Sequence, residues 1–245
     1  MSDIAVWLVR IDDMAEALDA CTRMGTALLT DSDHAYLRQH RDPARRRAAG
    51  ATRAALRLAL SHHLGPYAGR QPIAQGAHGK PLLPAGIGAF SISHTERTAL
   101  VAVAPEGSIG VDVEASRELS FSVARRQSIC AAAAASGQSS DLDGDEYLLQ
   151  SWTRLEAVAK ARGSGIGRLL ADLGIWGEGQ VRGDDAAVEK AARDLLQQEG
   201  ISVHDLDLPP ELYGALAVQP ARPGCTFAVQ RVSASHLLPA LRDQS

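Results

Sequence analysis

Two acidic residues two positions apart, Asp112 and Glu114 in Gly110-Val111-Asp112-Val113-Glu114, are the first sign of chemistry in this chain. On a strand, side chains alternate between faces, so both carboxylates point the same way. They repel each other there, and an ordinary core would not choose them. A divalent cation between them removes the conflict, and hard oxygen ligands suit magnesium. Further along lies Trp152-Thr153-Arg154-Leu155-Glu156-Ala157-Val158-Ala159-Lys160. Read as a helix, it puts Trp152, Glu156 and Lys160 on one face at i, i+4 and i+8. The two segments together suggest a metal held by Asp112, Glu114 and Glu156, with Lys160 one turn on for a phosphate. The plain alternative is a wet acidic strand beside a surface Glu156–Lys160 ion pair of a few tenths of a kcal/mol.

Other residues could serve an anionic substrate. Ser93 and His94 are adjacent, and neighbours on a strand face opposite sides, so a Ser–His relay between them is geometrically poor. His94 suits a ligand to an anion better; the alternative is a satisfied turn histidine. Lys80, between Gly79 and Pro81 in a rigid loop, suits a phosphate contact. Arg53, on a helix that also carries Arg45, Arg46 and Arg47, is a further phosphate anchor, although such runs are most often a solvated face. Gly163-Ser164-Gly165-Ile166-Gly167 resembles a phosphate loop only superficially. It follows a helix and lacks the Lys-Ser/Thr ending of a P-loop, so it reads as helix termination.

These residues need elements to hold them. Residues 4–10 read as a strand and 13–30 as a helix. Residues 42–64 read as one or two helices with a basic face, stopped by Gly65-Pro66. A Gly/Pro-punctuated loop spans 76–84. Residues 90–94 and 99–104 form a hairpin, and 108–114 a third strand of that group. Residues 116–140 read as a helix with a frayed end, the alternative being a loop. Residues 143–162 are the strongest helix, with Gly163 just past its end. Weaker elements cover 176–181 and 188–200, and a strand closes 225–232. No internal repeat is present.

The bulk numbers narrow the function class. The chain has 245 residues, enough for one large domain or two compact halves. A net charge of −4 argues against binding nucleic acid through a global positive field, and 4% aromatic content leaves few platforms for stacking bases. Cys21, Cys130 and Cys225 have neither zinc nor redox spacing, so reduced thiols are expected. No secretory leader and no apolar run of membrane-spanning length is visible, so a cytoplasmic protein that does not enter a membrane is expected.

The order of these segments carries more than any one of them. A basic helix with Arg53, then Gly79-Lys80-Pro81, Phe90-Ser91-Ile92-Ser93-His94-Thr95, Gly110-Val111-Asp112-Val113-Glu114 and finally Trp152-x-x-x-Glu156-Ala157-x-x-Lys160-x-x-Gly163 resembles the 4′-phosphopantetheinyl transferases. The resemblance covers residues 40–170 and is to the larger, monomeric Sfp-type branch. It implies transfer of the phosphopantetheine arm of coenzyme A to a serine of an apo acyl, peptidyl or aryl carrier protein, releasing 3′,5′-ADP. This is the holo-acyl-carrier-protein synthase reaction. It implies magnesium on Asp112, Glu114 and Glu156, with Glu156 also a candidate base. It implies coenzyme A contacts from Arg53, Gly79, Lys80, Ser93, His94 and Lys160, and catalytic parts for Glu156, Lys160 and His94. The implied fold is α+β, with two similar halves in pseudo-twofold symmetry around a coenzyme A cleft. The implied halves are 1–107 for nucleotide contacts and 108–245 for the metal and catalytic helix, in a monomer. Two departures stand out. Leu155 replaces a lysine usual before the motif glutamate, and Arg125-Arg126-Gln127-Ser128-Ile129-Cys130 replaces a Phe-Phe-Ser-like segment that helps receive the carrier. Arg125 and Arg126 could still meet an acidic carrier helix. The alternative function is a non-enzymatic homologue that binds a carrier or coenzyme A.

Overall fold

The computed structural model describes residues 4–25, 27–138, 140–175, 184–221, 224 and 226–233. The protein is α+β and divides into two units. Among the described residues no helix is long and apolar enough to cross a membrane.

The first unit is built on a four-stranded sheet in the order β4-β5-β1-β9. Its strands are β1 (Ile4–Arg10), β4 (Ala89–His94), β5 (Thr98–Ala104) and β9 (Phe227–Val232). The hairpin expected at 90–104 is present, with Ala89 opposite Ala104 and His94 opposite Ala99. Four helices accompany the sheet: α1 (Ile11–Arg23), α2 (Asp31–Leu37), α3 (Pro43–Leu64) and α4 (Pro66–Arg70). Asp42 caps α3 by accepting from the Ala44 and Arg45 amides, and Pro43 opens its first turn. The core joins Leu56, Ala59 and Leu60 of α3 to Trp7, Val101, Val103 and Phe90 of the sheet. A two-strand ribbon, β2 (Ala74–Gln75) with β3 (Pro81–Leu82), belongs to this unit as well.

The second unit has its own three-stranded antiparallel sheet in the order β6-β8-β7. The strands are β6 (Ser108–Ala115), β7 (Ser202–Asp205) and β8 (Leu212–Gln219). Its helices are α5 (Val123–Ala134), α6 (Gly144–Arg162), α7 (Ile166–Asp172) and α8 (Asp185–Glu199). Leu155, Val158 and Ala159 of α6 share a core with Ile129, Leu170, Val188, Ala215 and Ala217. Ser122 caps α5, so the helix reading of 116–140 holds over Val123–Ala134.

Several sequence expectations change. β6 is not a third strand of the hairpin group; it pairs with β8 along its whole length. β8, β7 and the short α2 and α4 carry no expectation in the sequence reading. The single helix expected over 13–30 ends at Arg23, and a second begins at Asp31. The division between the units is not one cut. Gly76–Lys80 groups with the second unit, and β9 returns to pair in parallel with β1 in the first. The weak element at 176–181, and Cys225, lie outside the described residues.

Candidate functional site

The candidate site is built where β6 meets α6. Gly110, Asp112 and Glu114 occupy alternate positions on β6 and so share one face. That face looks at α6. A Cβ on Gly110 would lie 2.0 Å from the Ala157 carbonyl oxygen and 2.5 Å from the Ala161 nitrogen. Only glycine lets the strand backbone come this close to the helix. The partners of β6 across the sheet on that face include Ala217 and Ala215, opposite Gly110 and Asp112, which keeps the approach open.

This contact brings the separated motif residues together. Lys160 Nζ donates to Asp112 Oδ1 at 2.7 Å and to the Val111 carbonyl at 3.1 Å. Asp112 is buried, at 5% exposure, while Glu156 and Lys160 are half-buried on the same helix face as Trp152. Trp152 packs against Phe121 with ring centroids 5.3 Å apart. Burial pushes the Glu156 carboxyl up to about 7; the Asp112 and Glu114 charges add to the rise and Lys160 opposes it. Glu114 is held by a residue the sequence reading missed. Arg117 donates from Nε and Nη2 to its two oxygens at 3.0 and 2.9 Å. The three-residue spacing of a glutamate and an arginine was the available signal.

The donor chemistry fits a hard divalent cation. Carboxylate oxygens are the ligands such an ion takes, and Asp112 and Glu114 lie near enough to Glu156 to add to the rise that burial causes in its pKa. Two cationic side chains, Lys160 and Arg117, meet the charge of Asp112 and Glu114. As the side chains stand, no group of three His, Cys, Asp or Glu among the described residues is drawn close enough to enclose an ion.

Of the remaining candidates, Arg53, Ser93 and His94 belong to the first unit, and Gly79 and Lys80 group with the second. His94 ends β4, exposed, with Nδ1 3.2 Å from the Thr95 carbonyl, and Ser93 precedes it, half-buried. Gly79 sits in a tight turn with φ +82°. Lys80 donates to Ser108 Oγ, the Ile109 carbonyl and the Ala161 carbonyl at 2.9, 3.2 and 3.3 Å. Its burial pushes its pKa down to about 8.

Arg53 is not on a solvated basic face. It is 6% exposed, with its guanidinium 4.4 Å over the Tyr36 ring and 3.8 Å from Asp33. Burial lowers its pKa, with Asp33 opposing. Arg57 is buried as well, bonding Asp33 through Nε and Nη2 at 2.7 and 3.0 Å and the Gly69 carbonyl at 3.1 Å. Thr30 and Asp33 form a capping box on α2. Arg53 and Arg57 thus lock α2 and α3 inside the first unit, whereas Arg45, Arg46 and Arg47 are the exposed part of the run.

The two departures also acquire places. Leu155 is 4% exposed in the core, off the Trp152–Glu156–Lys160 face. Arg154 turns into the sheet, where Nε and Nη2 grip Asp205 at 2.8 and 2.6 Å. Neither residue stands in for the missing lysine. Arg126 bonds Asp145 and the Leu119 carbonyl, so its charge is largely used within the unit. Gly163 does terminate α6, with φ +69°, but Gly165 then opens the short α7, so the glycine segment lies between two helices.

Comparison with known proteins assigns each stretch. Residues 17–104 match the 4′-phosphopantetheinyl transferase N-terminal domain, and residues 108–194 match the 4′-phosphopantetheinyl transferase superfamily domain. The chain is similar to the 4′-phosphopantetheinyl transferase HetI of Nostoc sp., 29% identical over 175 residues, which are 68% of this chain and 71% of HetI.

Proposed function

We propose that this chain, which belongs to the 4′-phosphopantetheinyl transferase superfamily, moves the 4′-phosphopantetheine arm of coenzyme A to a serine of an apo carrier protein and releases 3′,5′-ADP. The observation that carries the reading is the meeting of Asp112, Glu114, Glu156 and Lys160 on the facing sides of β6 and α6. Coenzyme A presents a pyrophosphate, and the bond broken is to its outer phosphorus.

Asp112, Glu114 and Glu156 would hold a magnesium ion. When bound, that ion supplies positive charge to the pyrophosphate oxygens. Lys160 spends two of its three N–H donors on Asp112 and Val111, leaving the third for a phosphate oxygen. Its charge then stabilises the negative charge that grows as the leaving group departs. Glu156 would accept the proton of the carrier serine, directly or through a water. His94 is exposed at its strand end and free to turn toward a phosphate, with Ser93 and Gly79 as further contacts. Arg53 is left out of this set because of its burial. A chain that matches both family domains needs no second copy to supply one, which supports reading it as a monomer, and the cytoplasm is the proposed compartment.

The test is the intact mass of several apo carriers after incubation with the protein, coenzyme A and magnesium, with and without chelator. A gain of one phosphopantetheine arm that chelator prevents supports the reading. The Asp112→Ala protein is expected to bring transfer to background while remaining folded by circular dichroism. Full turnover by that variant would overturn the assignment of Asp112 to a metal, and no gain on any carrier with coenzyme A binding intact would leave a non-enzymatic binding homologue in place of the transferase.

A further inference from the structure

The rigid Gly79-Lys80-Pro81 loop suggests a phosphate contact for Lys80 and the family resemblance implies a place near the coenzyme A nucleotide, yet the surroundings of this side chain describe a different task. An ammonium has three N–H donors and no acceptor. Lys80 has three acceptors around it: Ser108 Oγ, the Ile109 carbonyl and the Ala161 carbonyl. None of its donors is left over for a ligand.

The acceptors are not random. The last carbonyls of a helix have no partner within the helix. At the end of α6, Gly163 N bonds the Lys160 carbonyl and Ser164 N bonds the Ala159 carbonyl, both at 3.2 Å. The Ala161 carbonyl comes next after these two, and it receives Ser108 Oγ at 2.5 Å and Lys80 Nζ at 3.3 Å. Ser108 and Ile109 begin β6. One ammonium therefore ties the end of α6 to the start of β6, and a cation at a helix C-terminus is favoured by the helix dipole. Ala161 follows Lys160 directly, so this tie lies one residue from the side chain that meets Asp112.

The loop that delivers Lys80 is shaped for the purpose. Gly76 N bonds the Lys80 carbonyl at 2.8 Å and Gly79 N bonds the Gly76 carbonyl at 3.1 Å. His78 and Gly79 both have positive φ, +59° and +82°, which makes the turn tight. The flanking strands β2 and β3 belong to the first unit, and only Gly76–Lys80 groups with the second.

We propose that Lys80 is a positioning residue that clamps the last turn of α6 to the start of β6 through Ser108 and the Ala161 carbonyl, holding Lys160 in register with Asp112, and that it is not a nucleotide ligand. The clamp rests on the transferase reading only for its kinetic readout. Removal of Nζ frees the helix end without deleting any ligand-facing group.

The experiment compares wild type, Lys80→Met, Ser108→Ala and the double variant. Hydrogen exchange of the 159–164 amides, coenzyme A affinity by calorimetry, and kcat and KM for coenzyme A are measured on each. In Lys80→Met, exchange in 159–164 is expected to rise about tenfold and kcat to fall about tenfold or more, since small misplacements near the chemistry are costly. Coenzyme A affinity and KM stay within about twofold, because uniform binding is untouched. Ser108→Ala reproduces part of the effect, and the double variant is no worse than Lys80→Met, because both act through one carbonyl. A fall in coenzyme A affinity of about tenfold with 159–164 exchange unchanged would make Lys80 a ligand and overturn the proposal. Should Lys80→Met fail to fold, Ser108→Ala decides by the same two readouts. If wild type neither binds coenzyme A nor transfers it, yet exchange in 159–164 rises in both single variants, the clamp stands and the transferase reading falls.

Discussion

Glu156 carries a charge that its surroundings penalise. Burial, with Asp112 and Glu114 adding, sets its folded pKa at about 7 against an ordinary 4.5. A carboxyl raised on folding stabilises the fold fully below its unfolded pKa and loses that contribution as pH rises through the folded value. The window is therefore pH 4.5 to 7, with the fold weaker on the alkaline side. Glu156→Gln removes the penalty. In chelator at pH 8 the variant is expected to be more stable than wild type by about 2 kcal/mol, after allowance for partial solvent screening. The gap should close below about pH 4.5, where the glutamate is protonated in the folded and the unfolded protein alike. Urea unfolding across that pH range checks it, and an equal gap at every pH would show that the charge is not the cause. Spacing in the sequence was sufficient to put Asp112 with Glu114 and Glu156 with Lys160, because strand and helix periodicities set the face within each element, whereas the meeting of the two faces comes from the packing of β6 on α6. The surroundings of Arg53, Arg57 and Lys80 were not legible, for the opposite reason. A cationic side chain looks the same in a sequence whether its partners are water or buried carbonyls, and the partners lie up to 81 residues away.

At the scale of elements, everything depends on how closely β6 and α6 pack. Gly110 sets that distance, since a Cβ there would also come within 2.9 Å of Lys160 Cβ. Two of the three atoms it would strike are backbone, so neither a rotamer change nor a small shift relieves the clash. Gly110→Ala is expected to cost about 3 kcal/mol, as overpacking against a rigid partner does. It should also separate Lys160 from Asp112, so any protein that folds should transfer poorly. Denaturant midpoints and the carrier mass assay measure the two effects; a variant with unchanged midpoint and turnover would show that the helix can slide. α6 was legible because its apolar residues repeat at helical spacing and Gly163 ends it. β8 was not. Leu212 to Val218 is a nearly continuous apolar run without the alternation that marks a half-buried strand, because six of its residues are buried.

At the scale of the whole molecule, the first unit is finished by residues far from its beginning. β9 pairs in parallel with β1, Phe227 beside Ile4 and Val232 beside Val9. A chain stopped after Gly224 would leave the β1 edge unpaired. Amide protection in Ile4–Arg10 is expected to fall about tenfold while β6, β8 and α6 keep theirs, because the second unit owns a separate sheet and core. Equal losses in both units would show that they unfold as one. This return of the chain had no short-range signal: the parallel partner of a strand is set by tertiary packing, and an apolar run names no neighbour.

The same return has a consequence for biosynthesis. A ribosome delivers residues in order, and domains generally fold as they emerge. Here the strand that seals the first unit emerges only after the whole of β6 to β8. The second unit, although begun later, has all of its described strands and helices before the first has its fourth strand. During that interval β1 presents a bare edge to anything nearby, so this is the stage at which a nascent chain would most need a chaperone.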